Sequence, residues 1–244
     1  MSILASRCGQ RIFGGHTRPY ATTTLSDALF ANARAAGFLA AAVTVASIPT
    51  FQGIPEVIVT GRANAGKSTL LNAIVGRRDL MLSSSKPGRT KSLNFFRVGP
   101  DPGKLILVDA PGYGSRGRPE WGQLFTHYLQ TRKELRRVYI LFNAKHGLNE
   151  ADRLMLGDLD AQCQLTGGSR WTLQAIVTKA DTISPRDLSI LLPKLRKEIF
   201  DVAPTCLPPI VTASLKHPLF GVSEVRSSVA EACGLQKLGA LGRV

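Results

Sequence analysis

The octapeptide Gly61-Arg62-Ala63-Asn64-Ala65-Gly66-Lys67-Ser68 has the pattern GxxxxGK(S/T). It follows the apolar run Glu56 to Thr60 (EVIVT) directly and precedes the helical stretch Lys67 to Val75 directly. Glycines at both ends let backbone N–H groups turn inward around an anion, and a helix that begins at once adds the positive end of its dipole. Strand, glycine loop and helix in this order are what a phosphate-binding loop demands. Lys67 would reach the outer phosphates of a nucleoside triphosphate. Ser68 would ligate Mg²⁺, with Thr69 next on the same turn. The loop alone does not separate adenine from guanine nucleotides.

The remainder alternates strand-length apolar runs with helical patterns. Leu105 to Val108, Val138 to Phe142 and Leu173 to Val177 read as buried strands, and Pro209 to Val211 is strand-like. Leu93 to Val98 reads as a strand at an antiparallel edge. Helices are expected near Trp121 to Leu135, Glu150 to Leu165 and Pro185 to Phe200, the last with Ser184 as its N-cap. The pattern predicts an α/β fold: a mostly parallel six-stranded sheet with helices on both faces. Ahead of it, Ala-rich Ser26 to Ile48 predicts a helix that stops before Pro49.

Three further segments fall at the carboxyl ends of predicted strands, where open α/β sheets bind ligands. Asp109-Ala110-Pro111-Gly112 (DxxG) offers a carboxylate to Mg²⁺ through water and a glycine N–H to a γ-phosphate. Thr178-Lys179-Ala180-Asp181 resembles the guanine-reading NKxD. Asp181 would accept from guanine N1 and N2, a donor pair adenine lacks, while the Lys179 stem lies along the base. Thr212-Ala213-Ser214 would supply a backbone N–H to guanine O6. The four segments together point to GTP and GDP.

Charge adds a partner. Lys+Arg total 31 against Asp+Glu 17, a surplus of +14 that suits a polyanion such as RNA. Residues 1–24 hold Arg7, Arg11 and Arg18, several Ser and Thr and no acid, the composition of a mitochondrial or chloroplast targeting segment. Taking those three arginines from +14 leaves +11, so the basic character belongs to the folded part. Lys86, Arg89, Lys91, Arg97, Arg116, Arg118, Arg132, Lys133, Arg136 and Arg137 are expected to cluster around the loops that follow the phosphate site and to meet RNA phosphates. The four cysteines form no CxxC pair, which argues against a zinc knuckle. No apolar run reaches the ~20 residues of a membrane span, so integral insertion is not expected.

With these residues in place, the chain resembles the YihA/EngB group of translation-factor-related GTPases. Ser84 to Phe96 (SSKPGRTKSLNFF) is similar to that group's first switch and following strand, and Leu107 to Gly114 (LVDAPGYG) to its second. Tyr128 to Leu135 (YLQTRKEL), Thr178 to Asp181 and Ser214-Leu215-Lys216 match in order.

The resemblance implies a Ras-like G domain over residues 51–236, a C-terminal tail over 237–244, GTP hydrolysis, and a monomer acting in assembly of the large ribosomal subunit. Combined with the leader, it implies a mitochondrial, fungal-like member working in the matrix on the large-subunit precursor. A membrane-surface GTPase and a component supporting tRNA modification are the alternatives. By position, Thr90 would be the second Mg²⁺ ligand, and Gly88, Arg89, Thr90, Lys91 and Ser92 would close over the γ-phosphate. Lys67, Thr90 and Asn64 are the candidate catalytic residues. Asn64 would help K⁺ supply the charge of an arginine finger, a role for which Arg89 is the rival. Tyr113 stands where Ras has its water-orienting Gln, so unaided turnover is expected to be slow. Asn143 departs from the group's Asp, and His146 is expected to be a satisfied structural residue.

Overall fold

The computed structural model describes residues 25–81, 92–113, 119–215 and 219–237. The expected targeting segment 1–24, the expected first-switch residues Gly88, Arg89, Thr90 and Lys91, and all of the expected tail 237–244 but Lys237 lie outside them. So do Lys86, Arg116 and Arg118.

Seven strands form one sheet: β1 (Gly37–Ala42), β2 (Glu56–Gly61), β3 (Leu93–Val98), β4 (Leu105–Asp109), β5 (Leu135–Asn143), β6 (Thr172–Thr178) and β7 (Leu207–Val211), in the order β1-β3-β4-β2-β5-β6-β7. β4, β2, β5, β6 and β7 run parallel, while β3 is antiparallel to both β4 and β1. The helices are α1 (Leu25–Phe30), α2 (Lys67–Val75), α3 (Pro119–Thr131), α4 (Glu150–Leu165), α5 (Pro185–Val202) and α6 (Val222–Ala232).

The period of two along each strand sorts the core into two layers. Ile58, Ile106, Val108, Ile140 and Val177 pack under α3, α4 and α5 through Leu124, Tyr128, Leu156, Leu159, Leu195 and Ile199. Val57, Val59, Leu107, Tyr139 and Ile176 face α1, α2 and α6 through Phe30, Leu70, Leu71, Ile74, Val225 and Val229. A fully buried aliphatic side chain contributes about 2 kcal/mol. β2 is buried along its whole length because both faces are covered. Chain order places β4 on one side of β2 and β5 on the other, so the crevice beyond the end of β2 is the topological switch point of the sheet.

The Ala-rich helix expected over Ser26 to Ile48 does not form. An α-helix ends at Phe30, single 3-10 turns form at Ala33–Ala35 and Val45–Ser47, and Gly37–Ala42 between them becomes an edge strand on β3. Alanine's helix preference is worth only tenths of a kcal/mol over most residues, whereas β3 would otherwise present an open row of N–H and C=O groups. Burial of Ala42 and an edge-on contact of Phe38 with Phe96 at 5.6 Å secure the pairing. The sheet therefore has seven strands rather than six, β3 is interior rather than an edge, and the sheet begins before residue 51.

The third helix stops at Thr131 and Leu135 opens β5, so Trp121 to Leu135 is not one helix; α6 was not foreseen. No described helix is long and apolar enough to cross a membrane.

The expected basic cluster is divided. Arg97 pairs in register with Ile106, and Arg137 with Val57, at the end of the sheet opposite the phosphate loop. Arg132 is buried, donating from Nε to Glu56 Oε2 at 2.9 Å, with Tyr128 donating to the same carboxylate. Arg137 is buried too, bonded to Thr172 Oγ1 at 2.9 Å and Ser228 Oγ at 2.8 Å. Each satisfies a buried polar network and is withdrawn from solvent.

Candidate active site

β2 delivers the chain to Gly61, where a Cβ would stand 2.9 Å from the Leu141 carbonyl oxygen. Only glycine lets the loop leave the sheet so close to β5. Asn64 (φ 62°) and Gly66 (φ 92°) are left-handed, which turns successive peptide groups toward the concave side of the loop. Gly66 caps α2 without a side-chain bond, so the helix's opening N–H groups are directed at the same place. Lys67 folds back, its Nζ donating to Gly61 O at 3.0 Å and Arg62 O at 3.1 Å. Burial lowers its pKa, and the Asp109 charge opposes that.

Asp109 ends β4 almost fully buried. Burial pushes its carboxyl up to about 6, against the pull of Lys67 and a hydrogen bond from Ser68. Its Oδ1 has no hydrogen-bond partner among the described residues. The Ser68 hydroxyl and the Asp109 carboxylate, with its orphaned Oδ1, make a hard-oxygen donor pair that fits Mg²⁺, which takes few protein ligands beside phosphate and water. Ser68 and Asp109 would hold the ion and supply counter-charge to the phosphates; Thr90, the third expected ligand, lies outside the described residues. Ser92 donates to Asn94 Oδ1 at 2.8 Å at the start of β3.

Beyond Asp109, Ala110 N donates to Val59 O at 3.0 Å, which carries Pro111 and Gly112 onto the loop. A Cβ on Gly112 would lie 2.8 Å from Ala63 N, so the two backbones touch.

The segments expected to read the base sit side by side. Thr178 is buried, its hydroxyl against Ala65 O at 2.6 Å and Phe142 O at 3.1 Å. It supports the phosphate loop from behind rather than facing a base. Lys179 is left-handed (φ 58°) and half-buried, and Asp181 is exposed on the single turn Ala180–Thr182. Thr212 is strapped beside them: its N–H donates to Val177 O at 2.7 Å, and its carbonyl accepts from Ala180 N at 3.1 Å. Ala213, just before Ser214, pairs with Phe220 through two backbone hydrogen bonds of 3.0 Å.

Lys179 shares a cavity of about 280 Å³ with Arg62, Ala63, Asn64, Ala65, Leu141, Asn143 and His146. Asn143 closes a turn by accepting from Lys145 N at 3.0 Å. His146, expected to be a satisfied structural residue, is exposed at the cavity wall.

One residue of the site was missed. Asp152, in the first turn of α4, accepts from the Tyr113 hydroxyl at 2.9 Å and pairs with Arg62 Nε at 3.0 Å. In sequence it reads only as the acid of a capping box with Asn149. Tyr113 is consequently buried, and burial and the Asp152 charge raise its pKa strongly.

A phosphate loop at the switch point, a magnesium-type donor pair and a base-reading ledge, all at the carboxyl ends of parallel strands, define a Ras-like P-loop GTPase. A family profile described as "50S ribosome-binding GTPase" matches residues 56–166. The probable GTP-binding protein EngB of Ruegeria sp. strain TM1040 is 36% identical over 199 residues, covering 79% of this chain and 86% of that protein. That of Bradyrhizobium diazoefficiens is 35% identical over 201 residues, covering 80% and 87%. The chain belongs to the EngB family of GTP-binding proteins. In fold it is also similar to a single-substitution variant of Aquifex aeolicus Era bound to GDP and AlF4⁻, with a TM-score of 0.54 and 22% identity over 72% of this chain and 56% of that one.

Proposed function

We propose that this GTPase is a nucleotide-controlled factor for assembly of the mitochondrial large ribosomal subunit. The match of residues 56–166 to a profile described as a 50S ribosome-binding GTPase carries the reading. The Arg-rich, acid-free leader supports the mitochondrial matrix.

GTP and GDP are held by Gly61 to Thr69 at the phosphates and by Lys179, Asp181 and Ala213 at the base. A γ-phosphate would be met by Gly112 on one side and Gly88 to Ser92 on the other, and Ser68, Thr90 and Asp109 would hold Mg²⁺. Lys67 neutralises charge that grows on the phosphoryl oxygens. Asn64 would help to hold K⁺, which would supply a further positive charge. Tyr113 is engaged by Asp152 and orients no water, so the protein alone turns over slowly. It acts as a monomer. rRNA phosphates are met by basic residues near the switches, and by exposed Lys133 and Arg136 at the opposite end of the sheet, not by Arg132 or Arg137.

Gradient sedimentation of matrix extract with a non-hydrolysable GTP analogue or with GDP tests this. Co-migration with large-subunit particles that is favoured by the GTP analogue and lost in high salt is expected. Migration indifferent to nucleotide, or absent from large-subunit fractions, would overturn the proposal.

A further inference from the structure

The buried Asp152 carboxylate joins three segments that are distant in sequence. Oδ2 accepts from Asn149 N at 3.0 Å at the start of α4 and meets Arg62 Nε at 3.0 Å in the phosphate loop. Oδ1 accepts the Tyr113 hydroxyl at 2.9 Å, directly after DxxG. The Asp152 side chain is 1% exposed, and the helix N-terminus favours its negative charge. The Arg62 and Tyr113 backbones also form a parallel bridge, and Gly112 lies against Ala63 N.

We infer that Asp152 is a positioning residue that sets the affinity for GTP relative to GDP. Through Tyr113 and Arg62 it holds the Gly112 peptide in register with the phosphate loop before any nucleotide arrives. The Gly112 N–H is the group a γ-phosphate would engage and a diphosphate would not. Holding it in advance removes an ordering cost from GTP binding alone. The same tie draws the Tyr113 ring into the core.

This inference rests on the GTP-switch reading above. Tyr113→Phe removes one hydroxyl and keeps the ring; Asp152→Asn keeps an acceptor for the α4 cap but loses the charge. Calorimetry with GDP and with a non-hydrolysable GTP analogue, alongside thermal melting, is the test. In each variant, GTP-analogue affinity is expected to fall about tenfold, the scale of one hydrogen bond to a buried charge, with GDP affinity within twofold of wild type. The double variant should match Asp152→Asn alone, because the hydroxyl acts through the carboxylate. Affinities for both nucleotides that fall in parallel, or a ratio unchanged in both variants, would show a structural role only and overturn the inference. A wild type that binds neither nucleotide would instead count against the GTP-switch reading.

Discussion

The Thr178 hydroxyl lies 2.6 Å from the Ala65 carbonyl oxygen, so the end of β6 and the middle of the phosphate loop are joined by one buried hydrogen bond. The segment that carries Lys179 and Asp181, the residues expected to read the base, is thereby braced against the glycine loop expected to hold the phosphates. Thr178→Val keeps the shape and leaves the Ala65 carbonyl without that donor, a loss of about 1–3 kcal/mol. Chemical denaturation should show the loss, and GTP and GDP affinities should fall together. A drop confined to one nucleotide would contradict a brace.

Asp181 is exposed at the edge of the site and Thr212 is buried beside it. Asp181→Asn should exchange guanine for xanthine preference, because the new amide donates to the xanthine O2 where the carboxylate accepted from guanine. The specificity ratio should shift by at least ~10²-fold, as when a site built around one hydrogen-bonding pattern meets another. Competition binding with GTP, XTP and ATP reads it directly; ATP should bind neither form.

Asp109 has a folded-state pKa of about 6 against an ordinary 3.8, raised mainly by burial. A raised carboxyl pKa stabilises the folded chain fully below the ordinary value, and that contribution is lost as pH rises through about 6. The nucleotide-free protein should therefore lose about 2 kcal/mol between pH 4 and pH 7 relative to Asp109→Asn, at 1.36 kcal/mol per pKa unit. The variant should be the more stable at pH 8 and yet hydrolyse GTP poorly. Since Mg²⁺ prefers the ionised carboxylate, magnesium-dependent nucleotide affinity should weaken below pH 6. Parallel pH–stability curves for the two proteins would refute the burial argument.

The proposed potassium role at Asn64 predicts faster GTP hydrolysis in potassium than in sodium. Asn64 is left-handed at φ 62°, so Asn64→Ala adds about 1 kcal/mol of backbone strain to the loss of the amide. Asn64→Gly removes the amide without that strain and is the sharper variant. Both should hydrolyse at equal rates in the two salts; identical wild-type rates in both would eliminate the ion.

Much of this site was legible because its parts are local. The loop from Gly61 to Ser68 depends on glycines and a helix start within one turn, and DxxG and the TKAD segment each end a strand whose apolar run announces it. Backbone geometry over eight residues is encoded in those eight. Strand–helix alternation then brings the segments to one edge of the sheet, since parallel strands covered on both faces share their carboxyl ends.

What only the tertiary structure decided are pairings between distant segments. Gly37–Ala42 carries weak and conflicting local preferences, and the open edge of β3 made it a strand. Arg132 and Arg137 look like surface charge until Glu56, Thr172 and Ser228 are folded beside them. Asp152 looks like a helix cap until Arg62 and Tyr113, 90 and 39 residues earlier, converge on its two oxygens. In each case a weak local preference was overruled by the need to pair polar groups removed from water, and those partners come from elements far apart in the chain.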